Sequence, residues 1–272
     1  MTAIEVIPGR APRVASAGAR GATYLPTIVL VVGLLVAWEI SAVTILEGSK
    51  SVPKLTDVVA DLADDFPRYW RNARATLRAA WPGWLVGNVI ATLLGALAVA
   101  IPRLEKGVVN LAVAITSLPI IALGPIFQVT LEGDAPRSAL AGLAVFFTTL
   151  IGTIVGLRAC DRSSLDLIHA LGGGTFASLR KVRIRAALPD YFAALKISAP
   201  AAILGTIIGE FIGGAENGLG VALIAARAQA DPPVVWGVAV MATAVAGIGY
   251  ALIAGFGRVL TPWSPRSGAG AG

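Results

Sequence analysis

SALAGLAVFFTTLIGTIVGL, residues 138–157, runs without one ionisable side chain. At 1.5 Å rise per residue, a helix of about 20 residues is about 30 Å long, the thickness of a bilayer's hydrocarbon core. Its apolar residues do not alternate with polar ones as a barrel strand's would, so the backbone is expected to satisfy its own hydrogen bonds as a helix. Working outward, similar blocks lie at 25–45, 77–101, 108–131, 191–214 and 234–256. The pattern predicts an all-α membrane protein of six transmembrane helices.

Composition agrees. Of 272 residues, 56% are hydrophobic and 14% charged, with a mean hydropathy of +0.77. Soluble domains carry about 25% charged residues. The formal charge of +6 is carried by basic residues scattered between apolar blocks, which fits lipid head groups and topology and argues against a nucleic-acid partner. Arg10, Arg13 and Arg20 precede the first block, and the segment 158–190 is strongly basic. By the positive-inside rule both lie in the cytoplasm, and six spans return the C-terminus to that side. Segment 47–76 goes against the rule, placing Lys50, Lys54, Arg68, Arg71 and Arg74 outside. Its LTDVVADLADDF stretch sets Leu55, Val58, Val59 and Leu62 on one helical face, as an interfacial helix before span two would. Residues 1–24 and 259–272 read as flexible cytoplasmic ends around a permeation domain at 25–258, and the first block as a retained span, not a cleaved signal.

Ionisable residues inside lipid are costly and are therefore candidates for function. Glu39 lies in block one. Lys196 and Glu210 lie in block five, where Lys196 is near enough to one end to snorkel. Gly205, Gly209 and Gly213 fall four apart and form a ridge for close helix packing. Glu210 beside that ridge must face protein or a water-filled cavity, as a structural hydrogen-bonding group or as pathway lining. Thr116, Ser117 and Gln128 in block three join Glu210 as candidates for the lining. Pro82, Pro119, Pro125 and Pro200 are expected to interrupt their spans.

No G-x-x-x-x-G-K-[ST] phosphate loop, G-x-S-x-G elbow or H-E-x-x-H pair occurs. One Cys and one His, Cys160 and His169, leave no disulfide framework and no multi-ligand zinc site. No enzyme, metal or bound cofactor is expected, and the energy for any transport is expected to come from elsewhere.

The segment 158–190, RACDRSSLDLIHALGGGTFASLRKVRIRAALPD, is too long for a turn. SSLDLIHAL predicts a short helix, Gly172 to Gly174 break it, and Thr175 is placed to cap a second helix running to about Leu188. Phe176, Leu179, Val182 and Ala186 make an apolar stripe with Lys181 and Arg185 opposite, fit to lie on a membrane or dock on a soluble partner.

This segment resembles the cytoplasmic loop of the permease subunits of binding-protein-dependent ABC importers, whose pattern is E-A-A, three residues, Gly, nine residues, then I-x-L-P. Asp166 stands at the Glu position, Leu167 and Ile168 at the two Ala positions, Gly172 at the Gly, Val182 at the Ile and Ile184 at the Leu. Arg185 replaces the usual Pro, and AALP, ending at Pro189, follows. Trp38-Glu39, SVPKLTDVV, LPIIALGPIF and GEFIGGAENGLG extend the resemblance over 25–258, towards the nitrate, sulfonate and taurine branch. The resemblance implies a dimeric permease, with a second copy or a homologous subunit, in a bacterial plasma (inner) membrane. Its loop 158–190 would be a coupling helix seated in a separate ATPase subunit that uses the ATP. A soluble extracytoplasmic binding protein would deliver the solute and largely set its identity. Asp166, Gly172, Phe176, Leu179, Val182, Arg185 and Pro189 are then the expected ATPase-coupling residues. The competing readings are an ion-driven secondary transporter or channel, and a membrane anchor that transports nothing.

Overall fold

The computed structural model describes residues 19–44, 52–213 and 215–263. The flexible ends expected at 1–24 and 259–272 fall largely outside these. The chain divides into two compact units, one up to Asp57 and one from Val58.

In the first unit, α1 (Ala19–Thr44) is the predicted first span. Glu39 does not stand alone in it. Its carboxylate accepts from the Leu55 amide at 2.6 Å and from the Thr56 hydroxyl at 3.1 Å, and the Trp38 indole donates to the Pro53 carbonyl at 3.1 Å. These bonds place a carboxylate at the first amide of α2 (Leu55–Asp64), where the helix dipole favours negative charge.

The second unit follows with α3 (Phe66–Ala100), α4 (Pro102–Ser117), α5 (Ile120–Thr130), α6 (Ala135–Arg158), α7 (Arg162–Ala170), α8 (Thr175–Ser178), α9 (Ile184–Ile212), α10 (Leu219–Ala228) and α11 (Pro232–Leu260). No strand occurs among the described residues. Five helices are long and apolar enough to cross a bilayer, and a sixth span appears when α4 and α5, bent by 89°, count as one.

The inner layer is α3, α6 and α9, which approach through glycines. A Cβ on Gly87 would stand 2.6 Å from the Gly142 carbonyl oxygen, and one on Gly205 2.8 Å from that of Leu140. Small residues let backbones touch in lipid, where apolar side chains gain little by leaving it. The matched pairs give the directions. Gly83 meets Ser138 and Gly95 meets Thr153, so α3 and α6 run parallel, whereas Gly156 meets Ala187 and Gly209 meets Arg137, so α9 runs antiparallel to α6. Because α3 and α6 are parallel, the α4–α5 pair between them must cross the molecule once. It is therefore a broken third span.

Several expectations are corrected. Block 108–131 is two helices. Leu118 is extended before Pro119, as the residue before a proline prefers, and Pro119 sits at the N-cap of α5. Pro82, Pro125 and Pro200 interrupt nothing; each lies within a continuous helix. Neighbours make this tolerable: near Pro82 the Ser138 hydroxyl of α6 donates to the Ala79 carbonyl at 2.8 Å. The amphipathic helix expected before span two is present as α2 but is confined to Leu55–Asp64; the rest of the segment does not belong to it, since α3 already starts at Phe66, with Tyr69, Ala73 and Thr76 buried. Gly213 leaves the glycine ridge to end α9 at φ +115°. The second loop helix does not stop near Leu188: α8 passes through a π-helical turn, Leu179–Arg183, into α9, and Pro189 lies inside α9. Thr175 is its first helical residue, and Gly174 is the N-cap.

Candidate functional site

The α6–α9 loop is built to present a surface. Asp161 precedes α7, and the Ser163 hydroxyl donates to its carboxylate, holding it below the usual carboxylate range. The helix closes as the Gly172 amide donates to the His169 carbonyl at 2.9 Å and the Gly173 amide to the Ile168 carbonyl at 2.8 Å. Gly172 adopts φ +75°, a left-handed turn that glycine makes without penalty. α8 then starts at Thr175, with Gly174 as its N-cap. Leu167, Leu171 and Phe176 are 61%, 76% and 75% exposed on this segment; the first two lie outside every candidate span, and Phe176 lies at the very start of the one that runs from Thr175 to Ile212. Asp166 and Arg185 are also exposed. Leu179 turns inward to pack with Leu157 and Ala187, and Val182 and Pro189 are half-buried. Of the predicted stripe, Phe176 alone faces fully outward, because the π-helical turn shifts the register that a regular helix would keep. The Arg183 guanidinium donates to the Leu157 carbonyl at 3.4 Å and ties the turn to α6. An apolar cavity of about 270 Å³, bordered by Ala96, Leu157, Leu179 and Tyr191, lies beneath the turn.

At the opposite end, polar residues meet inside the protein. Glu210, 1% exposed, accepts from the Thr76 hydroxyl at 2.8 Å and from the Gly220 amide at 2.8 Å. Arg137 of α6 stands 3.8 Å from the same carboxylate, is paired with Asp134, and donates to the Asn217 carbonyl at 3.4 Å. Asn72 accepts from the Gly218 amide at 3.1 Å and Thr76 from the Leu219 amide at 2.9 Å. Gln128 of α5 donates to the Gly213 carbonyl at 2.6 Å. The segment joining α9 to α10 is thus held by α3, α5, α6 and α9 together. Gly218, at φ +155°, lies against Glu210 so closely that a Cβ would stand 2.3 Å from the carboxyl carbon.

Of the four candidates for the pathway lining, the structure brings Gln128 and Glu210 to this one segment. Thr116 and Ser117 are exposed at the α4–α5 break and return their hydroxyls to α4's own carbonyls, at 3.0 Å and 2.8 Å. Asn72, Thr76 and Arg137 were not singled out in the sequence. The available signal was their position at the edge of an apolar block. No group of His, Cys, Asp and Glu able to hold a metal occurs among the described residues.

Comparison with known proteins gives this architecture a context. Residues 87–264 match the family described as Binding-protein-dependent transport system inner membrane component. The chain belongs to this family. The permease is 28% identical over 237 residues to the formylaminopyrimidine transport permease protein of Halalkalibacterium halodurans, covering 86% of this chain and 93% of that one. It is 29% identical over 196 residues to the riboflavin transport system permease protein of Chloroflexus aurantiacus, covering 71% and 72%. A Bacillus subtilis permease protein named for aliphatic sulfonates is 27% identical over 146 residues, covering 53% and 52%. The fold is shared with inward-facing conformations of the MetNI methionine ABC transporter, at a TM-score of 0.50 and 16% identity over 70% of this chain and 94% of that one. An ABC importer permease, multi-pass in the inner membrane, is what these findings support over the ion-driven and anchor readings.

Proposed function

We propose that the permease couples ATP hydrolysis on a separate subunit to inward movement of a small solute by alternating access. The observation that carries this is the exposed apolar triad Leu167, Leu171 and Phe176 on the loop between α6 and α9, for which a partner's cleft is the natural cover. ATP-driven closure of two such partners displaces α7 and α8. Because α8 runs without a break into α9, the displacement reaches the inner layer as a rotation of α9 against α6, shifting the population between inward- and outward-open states. Asp166, Gly172 and Arg185 position or contact the partner, and Leu179, Val182 and Pro189 transmit the movement from inside the turn. The nucleotide belongs to that partner, and this chain binds no cofactor and catalyses nothing itself.

The loop and both termini face the cytoplasm, a second copy or homologous permease completes the pathway, and an extracytoplasmic binding protein delivers the solute. Sulfonates, taurine or nitrate are the proposed cargo, with the heteroaromatic compounds for which two of the relatives are named as the alternative. Gln128 and Glu210 serve the pathway by fixing the segment that closes its far end, while Thr116 and Ser117 line it at the broken span. With the assembled transporter in proteoliposomes, Phe176→Asp is expected to abolish solute-stimulated ATP hydrolysis while leaving membrane insertion intact. Undiminished stimulation would contradict the assignment.

A further inference from the structure

α3 has 35 residues and is therefore about 52 Å long, so some 20 Å of it extends beyond a 30 Å hydrocarbon core. At its start, Arg71, Arg74 and Arg78 recur at spacings of three and four and share one exposed face. The acidic residues nearby do not neutralise them. Asp61 and Asp65 are both taken by Arg68, and no ion pair or hydrogen bond joins Arg71, Arg74 or Arg78 to any other described residue. Down the same face come Trp81, 62% exposed, then Leu85 and Val89, 45% and 48% exposed. Trp81 is held there by stacking on Trp84 at 5.4 Å, and the Trp84 indole donates to the Ser198 hydroxyl of α9 at 2.8 Å.

We propose that this strip binds the head group of an anionic phospholipid. The order along the face is that of a bilayer edge: cations, an anchored indole at the interface, then an apolar wall for the acyl chains. Helical side chains lean towards the N-terminus, so Arg78 and Arg74 reach away from the hydrocarbon, to where a lipid lying on Leu85 and Val89 carries its phosphate. Guanidinium groups bind phosphate oxygens in paired hydrogen bonds, and one phosphate bridged by arginines a turn apart has no equivalent for a zwitterionic head group's own cation.

Two other occupants fit less well. A twofold contact with a second copy would set arginine against arginine. An acidic soluble protein would cover Arg71 and Arg74 but leave the exposed wall at Leu85 and Val89 unexplained. The inference requires only that α3 spans the membrane, and does not depend on the transport reading.

The test is native mass spectrometry of the intact purified chain titrated with phosphatidylglycerol or phosphatidylcholine. Retention of phosphatidylglycerol is expected to exceed that of phosphatidylcholine by about tenfold. The triple variant R71Q/R74Q/R78Q should lose this preference, while R71K/R74K/R78K keeps part of it and R180Q/K181Q keeps all of it. Equal retention of both lipids by the unaltered chain would overturn the proposal, as would an undiminished preference in the glutamine variant. So would a strip protected instead by a second copy or by an acidic soluble protein.

Discussion

Glu210 joins α3, α6 and the segment after α9 through one carboxylate. Removing it leaves the Thr76 hydroxyl and the Gly220 amide without their acceptor and Arg137 without its nearest buried anion. Arg137 keeps Asp134, but each buried donor left without its acceptor costs roughly 1–3 kcal/mol, so Glu210→Ala should lower the unfolding midpoint of the purified chain by several degrees. Thr76→Val should cost about 1–3 kcal/mol. The double variant should cost less than the sum, because each removes part of the same network; strict additivity would show that the two do not act together. Gly218→Ala should destabilise comparably to Thr76→Val, since the new Cβ falls on the Glu210 carboxyl. The charge of Glu210 within an apolar block was legible in the sequence. Its partners were not, because Thr76 and Arg137 lie far away in the chain and meet it only once α3, α6 and α9 have packed.

At the scale of elements, the broken third span is the feature composition concealed. Block 108–131 is continuously apolar, so hydropathy joins what Leu118 and Pro119 separate, although Pro119 marked the place. Spin labels at Lys106 and Val129 provide a ruler. A straight helix would put their backbones about 35 Å apart, whereas two arms bent by 89° bring them to about 23 Å. A distance distribution centred near the longer value would contradict the break. α10 escaped notice for a different reason: at 10 residues it is too short to register as a span. The loop helices were legible from SSLDLIHAL and the glycines. The π-helical turn was not, because nothing in LRKVR distinguishes it from α-helix, and with it went the inward turn of Leu179.

For the whole molecule, the all-α membrane class and the spans followed from block length, since lipid leaves the backbone few alternatives to helix. Parallel packing of α3 on α6 required the structure. Gly87→Leu should therefore destabilise by about 1–3 kcal/mol or more, by driving a side chain into the Gly142 backbone, while Gly107→Leu, where a Cβ meets nothing within 4 Å, should leave the melting curve unchanged. Equal effects at both positions would refute the packing. The central claim is that the exposed triad of the α6–α9 loop seats a separate ATPase. Its most direct test is to purify the tagged permease from its native membrane in mild detergent and quantify what accompanies it. A stoichiometric ATPase subunit, retained by the unaltered chain and lost from Phe176→Asp, is the predicted result. Its absence from both, under conditions that preserve the membrane complex, would contradict the account.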